Sequence, residues 1–260
     1  MSNAFADRYG PWAVVTGAAQ GVGLAFAEAV RDRGCGVVLV DRQPEVVEVA
    51  AELRGDARGV VADLADPGWI DAVAEAADGL EIGLAVANAA VSYVGRFVDQ
   101  PTESRRATVL VNCLATTELA AWLLPPMVAR GRGGFVVTSS GSALAGTGAV
   151  ASYSASKAYV LNLAEALGWE LRGTGVDCQA IVAPAMDTPG WRSHPIDESK
   201  LLQPAASPRA VVEAALDRLP SGGWFLADPG LEVVAGIERG ARVDLLSEVT
   251  ASLYPVEFPQ

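Results

Sequence analysis

Short apolar runs recur along the chain, separated by segments whose apolar residues follow a helical period. The runs are apolar at nearly every position, which is typical of strands buried on both faces of a sheet. The runs that predict strands are 12–16, 37–40, 59–62, 82–87, 134–138, 176–182 and, more weakly, 224–226. The segments that predict helices run from a glycine-rich turn to about residue 33, and then over 44–53, 67–77, 102–130 and 152–172. Segment 102–130 has room for one long helix or two short ones.

Because strands alternate with helices, the pattern predicts a parallel sheet that is covered on both faces. Right-handed crossovers then give an α/β fold with three layers, a doubly wound (Rossmann) sheet of about seven strands. No linker rich in Pro, Gly or Ser divides the chain, and no internal repeat is visible. We therefore predict a single domain over residues 1–260.

Two stretches fall outside this alternation. Residues 184–208 contain five prolines and the only histidine of the chain, His194. A loop of this length in a compact domain usually has a function, so we interpret it as a lid over the substrate. Trp191 and Met186 in it either line an apolar pocket or pin the lid to the body, and His194 either touches substrate or stays solvated. Residues 229–260 form a charged tail that we predict to be helical.

Composition excludes several classes of partner. The 260 residues include 31 acidic and 19 basic ones, which gives a formal net charge of -12. Nucleic acids and anionic membrane surfaces both need a basic surface, so neither is expected as a partner. One histidine and three widely spaced cysteines, Cys35, Cys113 and Cys178, match neither a metal site nor a disulfide framework. Since no signal segment or spanning run is visible, we expect a soluble cytoplasmic protein.

A glycine-rich turn connects the first strand to the first long helix. It reads Thr16-Gly-Ala-Ala-Gln-Gly-Val-Gly23. Glycines at such a turn let the backbone approach a pyrophosphate, and the helix N-terminus offers it unpaired N–H groups and a partial positive charge. The alternative is a tight turn between strand and helix that binds no ligand.

Asp41 ends the second strand, 24 residues after Gly17. A carboxylate at this place accepts hydrogen bonds from the adenosine ribose hydroxyls and repels the 2′-phosphate of NADP. The neighbouring Arg42 is the type of residue that NADP enzymes use there. We expect the carboxylate to dominate and NAD to be preferred by at least about tenfold, roughly 1.4 kcal/mol. The alternative is that Asp41 only caps a helix or ends a solvated strand.

Tyr153 and Lys157 are one helical turn apart, so their side chains lie on one face of the predicted helix. An ammonium beside a phenol favours the phenolate, which makes the pair a plausible unit for proton transfer. Ser140 stands thirteen residues before Tyr153, just after a predicted strand. Its hydroxyl is placed to hold a substrate oxygen beside the phenol.

Taken together, these motifs resemble the short-chain dehydrogenase/reductase family, in its single-domain form of about 250 residues. The resemblance extends from Trp12 to about Leu226 and rests on several motifs in order. They are Thr16-Gly-x-x-x-Gly-x-Gly23, Asp63-Leu64, Asn88-Ala89, Asn112, Ser140 and Tyr153-x-x-x-Lys157.

The resemblance implies a role for each matching residue. Tyr153 would be the general acid and base, Ser140 would position the substrate oxygen, and Lys157 would lower the pKa of the tyrosine and bind the nicotinamide ribose. Asn112 would hold a water of a proton relay. The remaining residues implied in cofactor binding are Gly17, Gln20, Gly21, Val22, Gly23, Asp41, Arg42, Asp63, Leu64, Asn88 and Thr188.

This chain departs from the family pattern at three places. Ala90 replaces a glycine after the fourth strand. The turn after the sixth strand, Pro184 to Thr188, lacks a glycine and is one residue short, which weakens the case that Thr188 contacts the nicotinamide carboxamide. The tail lacks the Gly-rich ending of many tetrameric members. We therefore expect a homodimer formed through helices 102–130 and 152–172, with a tetramer as the alternative.

The sequence as a whole predicts an NAD-dependent oxidoreductase that interconverts a secondary alcohol and a ketone. The loop after Ser140 and the lid are small and apolar, which favours a neutral, hydrophobic substrate. Three alternatives stay open: a non-catalytic NAD-binding sensor or scaffold, an NADP-dependent ketoreductase, and an epimerase or dehydratase. The first has no use for Ser140, Tyr153 and Lys157 together.

Overall fold

The computed structural model describes residues 4–53, 55–201, 203–254 and 256–257. Its strands form one parallel sheet. They are β1 Trp12–Thr16, β2 Gly36–Asp41, β3 Ala57–Val61, β4 Ile82–Ala87, β5 Gly133–Ser140, β6 Val176–Ala183 and β7 Gly223–Leu226. The strand order is β3-β2-β1-β4-β5-β6-β7, and each neighbouring pair is parallel. The predicted seven-stranded doubly wound fold is confirmed.

Helices cover both faces of this sheet. They are α1 Ala4–Tyr9, α2 Gly21–Asp32, α3 Val46–Glu52, α4 Trp69–Ala76, α5 Thr102–Thr108, α6 Ala115–Arg130, α7 Ala151–Glu170, α8 Pro189–Arg192, α9 Pro208–Arg218, α10 Pro229–Gly236 and α11 Arg239–Leu253. Buried side chains of α4, α6 and α7 form one core, and those of α2, α3 and α9 form the other. Strand side chains alternate between the two cores, which is why the strands are apolar at nearly every position.

Segment 102–130 is one continuous helical stretch with a π-helical turn, Val109–Leu114, between α5 and α6. The stretch is long and apolar enough to cross a membrane. However, Leu119, Leu123 and Met127 are buried in the core beneath the sheet. We therefore interpret it as a core helix.

The carboxyl ends of the strands gather the candidate site at one edge of the sheet. The strand order reverses between β1 and β4, and ligands of doubly wound sheets bind at such a switch point. The glycine turn follows β1, Asp41 ends β2, Asn88 follows β4 and Ser140 ends β5. Residues far apart in sequence therefore face one crevice.

The segment interpreted as a lid is a closed loop with its own stem. Met186 and Ala206 form a parallel bridge, and Asp187 N donates to Ala206 O at 3.1 Å. Helix α8 lies within the loop, and Thr188 caps it by accepting a hydrogen bond from Trp191 N at 3.2 Å. The stem holds the start and the end of the lid together beside β6.

Candidate active site

The glycine turn closes more tightly than any side chain would allow. Gly17 and Gly21 have φ of +67° and +61°, a region that favours glycine. A Cβ on Gly23 would lie 2.0 Å from Gly17 O and 2.8 Å from Asn88 Nδ2. Gln20 occupies the N-cap of α2 without a side-chain cap, and N–H groups of the first turn have no partner within a helix. The turn thus presents the donor set that a pyrophosphate needs, and it fits a dinucleotide.

Asn88 braces this turn from the next strand. Its side-chain Nδ2 donates to Thr16 O at 3.0 Å and to Gly17 O at 3.4 Å. Its backbone N–H and that of Ala89 donate to the Thr16 hydroxyl at 3.0 and 3.1 Å. Asn88 therefore fixes the shape of the turn by joining the ends of β1 and β4. The exposed Ala90 takes no part in these bonds.

Asp41 is buried and bound to the same turn. Its Oδ2 accepts from Ala19 N and its Oδ1 accepts from Gln43 N, both at 3.0 Å. Neither bond caps a helix, because the N-cap residues of α2 and α3 are Gln20 and Glu45. A carboxylate has about four acceptor positions, so two remain for ribose hydroxyls. Arg42, the next residue, is exposed.

Asp63 and Leu64 follow β3 and lie on the adenine side of the crevice expected from the resemblance. Asp63 Oδ1 accepts from Ala65 N at 2.9 Å, which shapes a turn, and Leu64 is buried.

Thr188 packs directly on the glycine turn. A Cβ at Gly21 would lie 3.3 Å from the Thr188 Cβ and Cγ2 atoms. The shortened turn after β6 still brings Thr188 to the cofactor crevice.

The three predicted catalytic side chains converge. Ser140 is the last residue of β5, and Tyr153 and Lys157 lie in the first two turns of α7. The Ser140 hydroxyl is close enough to the Tyr153 phenol to lower its pKa, and Lys157 Nζ lies 5.7 Å from the centroid of the Tyr153 ring. Ser139 Oγ donates to Lys157 O at 2.9 Å and so fixes α7 to the end of β5.

Burial, rather than the lysine, dominates the titration of this pair. Burial raises the pKa of Tyr153 to about 12. The neighbouring Ser140 hydroxyl lowers this pKa and Tyr254 raises it, each by less than burial does. Burial also lowers the pKa of Lys157 to about 8. The lowering of the tyrosine pKa that the resemblance implies for Lys157 is therefore not seen in the chain alone. A site that forms phenolate at neutral pH needs additional positive charge.

Ser142 is a site residue that the sequence analysis did not single out. Its backbone N and its Oγ both donate to Ser140 Oγ, at 3.3 and 3.2 Å. Because Ser140 accepts these bonds, its own hydrogen is free to point at the phenol of Tyr153. The spacing of two residues after the strand end is the signal that would have found it.

Asn112 lies in the π-helical turn, and such turns are frequent at functional sites. Its Nδ2 donates to Val91 O at 3.0 Å and to Ser156 Oγ at 2.8 Å, and its Oδ1 accepts from Val91 N at 2.8 Å. Ser156 in turn donates to Tyr153 O at 2.8 Å. Asn112 therefore braces the first turn of α7 with both of its N–H donors and one of the two acceptor positions of Oδ1.

The lid and the C-terminal tail contact each other at Tyr254. His194 and Trp191 of the lid are half-buried, and both contact Tyr254, which follows α11. Met186 packs against the core of the α2 side. Among the described residues, no group of three His, Cys, Asp or Glu side chains is placed to hold a metal ion.

The chain is similar to known proteins over most of its length. Residues 11–199 match the family model for short chain dehydrogenase. It is 31% identical to a 7beta-hydroxysteroid dehydrogenase of Collinsella aerofaciens, over 82% of this chain and 84% of that protein. It is also 32% identical to the inactive hydroxysteroid dehydrogenase-like protein 1 of Homo sapiens, over 72% of this chain and 60% of that protein.

Solved structures agree with this similarity. One that concerns 7beta-hydroxysteroid dehydrogenase stereoselectivity has a TM-score of 0.84 at 25% identity, covering 93% of this chain and 98% of that one. A short-chain dehydrogenase from Sphingobium yanoikuyae in complex with NADPH has a TM-score of 0.76 at 30% identity, covering 91% and 92%. The chain therefore belongs to the short-chain dehydrogenase/reductase family of oxidoreductases.

Proposed function

We propose that this chain is an NAD-dependent dehydrogenase that interconverts a secondary alcohol and a ketone, with Tyr153 as the general acid and base. The convergence of the half-buried Ser140 and Tyr153 with the buried Lys157 carries this proposal. A protein that only bound the cofactor would gain nothing from burying an ammonium beside a phenol, because burial of both groups costs free energy. This observation favours an enzyme over a sensor or scaffold.

The chain's own residues divide the chemistry. Ser140 and Tyr153 hold the substrate oxygen, and Tyr153 takes the hydroxyl proton during oxidation and returns it during reduction. Lys157 Nζ donates one of its three N–H groups to Thr138 O at 2.7 Å. Two donors therefore remain for the nicotinamide ribose. When bound, the nicotinamide accepts or supplies the hydride and adds the positive charge that favours the phenolate. The glycine turn and Asp41 hold its pyrophosphate and adenosine ends.

NAD rather than NADP is the proposed cofactor because of Asp41. A buried carboxylate that is held in place by two backbone N–H groups stays at the ribose position and repels a phosphate there. Arg42 is exposed beside it and supports the NADP-dependent ketoreductase as the second candidate. The NADPH complex of the Sphingobium relative points the same way.

The proposed substrate is a neutral and hydrophobic alcohol with a bulky ring system, of the hydroxysteroid class. The names of the relatives support this class. So do the aromatic rings of Tyr254, which lies near Tyr153, and of His194, which contacts Tyr254. We place the reaction in the cytoplasm, in keeping with three free cysteines.

A panel of ring and small secondary alcohols tests the function, with NAD and NADP compared by the absorbance of the reduced cofactor. We expect turnover with ring alcohols and a kcat/KM at least tenfold higher with NAD. Binding of NADH without oxidation of any alcohol, or reduction of any ketone, would instead support the non-catalytic alternative. Equal or better kcat/KM with NADP would support the ketoreductase.

A homodimer formed by helices α6 and α7 is proposed as the assembly, with a tetramer as the alternative. Large apolar side chains are exposed along this side, among them Val109 at 57%, Tyr159 at 45% and Trp169 at 66%. Exposed apolar groups of this kind mark interaction surfaces. Light scattering should give the mass of two chains, and the mass of one chain would contradict the proposal.

A further inference from the structure

The C-terminal helix α11 is fastened to the loop that connects the catalytic serine and tyrosine. Arg242 Nη1 donates to Leu144 O at 2.9 Å, and Ser247 Oγ accepts from Gly148 N at 2.8 Å. Both partners lie between Ser140 and Tyr153 in sequence. The tail therefore has a fixed position relative to the catalytic pair.

The end of the same helix is fastened to the lid. Leu253 O accepts from Asp197 N at 2.9 Å. The His194 ring stands edge-on to the Tyr254 ring with centroids 5.9 Å apart, and Trp191 lies close enough to the Tyr254 phenol to lower its pKa. One tyrosine thus binds two aromatic side chains of the lid.

Tyr254 also reaches the reacting group. It is close enough to Tyr153 for the two phenols to interact electrostatically, and this interaction raises the pKa of Tyr153. His194 also lines a cavity of about 290 Å³, together with Tyr93, Arg96 and Ser104. Gly95 N donates to Ala149 O at 2.8 Å, which attaches this cavity to the segment just before α7. The cavity therefore adjoins the lid at His194, the ring that Tyr254 contacts.

We propose that Tyr254 is the specificity-determining latch of the substrate site: it holds the lid closed through Trp191 and His194, and its ring forms the wall that a bulky ring substrate meets. This inference rests on the proposed function for the substrate class. The contacts that hold the lid do not depend on the proposed function. Small alcohols do not extend to the wall, so the latch discriminates by size.

The test compares Tyr254→Ala and Tyr254→Phe with Tyr159→Phe, which alters an exposed phenol on α7 that bonds Thr117. For a ring alcohol, we expect Tyr254→Ala to raise KM at least tenfold and Tyr254→Phe about threefold, because the second variant keeps the ring. KM for a small alcohol should stay within twofold, and Tyr159→Phe should match the parent. A parallel loss for both alcohols together with a lower Tm would mean a structural role and would overturn the proposal.

Limited trypsin digestion without cofactor gives a second readout. Arg192 and Lys200 are exposed in the lid, and Arg172, exposed after α7, is an internal reference. We expect both Tyr254 variants to speed cleavage at the two lid positions, at least fivefold for Tyr254→Ala, with no change at Arg172. Unchanged lid cleavage would overturn the latch.

If no alcohol is oxidised, the proposed function fails, and the digestion still decides whether Tyr254 holds the lid. If Tyr254→Ala does not fold, Tyr254→Phe alone decides.

Discussion

Lys157 Nζ donates its hydrogen bond to the main-chain carbonyl of Thr138, at 2.7 Å, and faces the Tyr153 ring from 5.7 Å. The ammonium is therefore held by the end of β5, and its charge acts on the phenol through space. Only 4% of Lys157 is exposed, so this charge is carried without solvation by water. The free energy that this costs the fold is the clearest sign that the lysine serves the reaction.

The first prediction concerns the stability of Lys157→Met. Burial lowers the pKa of Lys157 to about 8, whereas in the unfolded chain the lysine titrates near its ordinary pKa of 10.5. At pH 7 the folded protein must carry the buried charge, so the variant should be more stable, by on the order of 2–3 kcal/mol at most. Between pH 8 and 10.5 the unfolded state binds more protons, so the parent gains stability as pH rises. The advantage of the variant should therefore shrink by pH 10.

Urea unfolding at pH 7, 9 and 10 measures this difference. Lys200→Met, at an exposed position in the lid, is the matched control and should stay within about 0.5 kcal/mol of the parent at each pH. NADH binding by Lys157→Met should weaken. A variant that is less stable than the parent at pH 7, or whose advantage does not change with pH, would show that the lysine is not a desolvated cation.

Asp41→Ser should shift cofactor preference from NAD towards NADP by at least about tenfold in kcat/KM, since the repulsion of the 2′-phosphate is removed. The exposed Arg42 should contribute to this gain, so Asp41→Ser/Arg42→Ala should lose most of it. Because Asp41 accepts from Ala19 N and Gln43 N, the substitution should also cost about 1–3 kcal/mol of stability. Steady-state kinetics with both cofactors measure the ratio, and an unchanged ratio in Asp41→Ser would refute the assignment.

Gly23→Ala should open the cofactor turn. The added methyl would lie 2.0 Å from Gly17 O, a backbone atom that Asn88 and the strand end hold in place. We expect at least a tenfold loss of NADH affinity in fluorescence titration, together with a lower Tm. Gly236→Ala is the control, because a Cβ there meets nothing within 4 Å. NADH affinity within twofold of the parent in Gly23→Ala would mean that the turn does not bind the cofactor.

The strands and long helices could be predicted because each buries a continuous apolar face, and the period of that face is visible locally. Three helices were missed, of which α8 has only four residues and lies within the lid. Helix α1 has only six residues, and its buried Tyr9 gives no period. Helix α9 directly follows the lid, and its buried Val211, Val212, Ala215 and Leu216 show a helical spacing that was overlooked. The single-domain interpretation and the homodimer stay predictions.

The site was predictable where one turn or one helix contains the motif, as for Gly17 to Gly23 and for Tyr153 with Lys157. It was not predictable where the partner comes from a distant segment. Tyr254 lies 101 residues after Tyr153 in sequence, and no local pattern shows that the tail returns to the lid. The pKa values were also beyond the sequence, because burial sets them and burial depends on the whole fold.

The central claim is tested most directly by Tyr153→Phe, which removes the phenol oxygen and leaves the ring beside Lys157. NADH affinity, measured by fluorescence, should stay within about threefold of the parent, while turnover of a ring alcohol should fall by about 10² or more. Tyr159→Phe, one turn and a half further along α7, should keep both values. Turnover by Tyr153→Phe above a tenth of the parent rate would contradict the account.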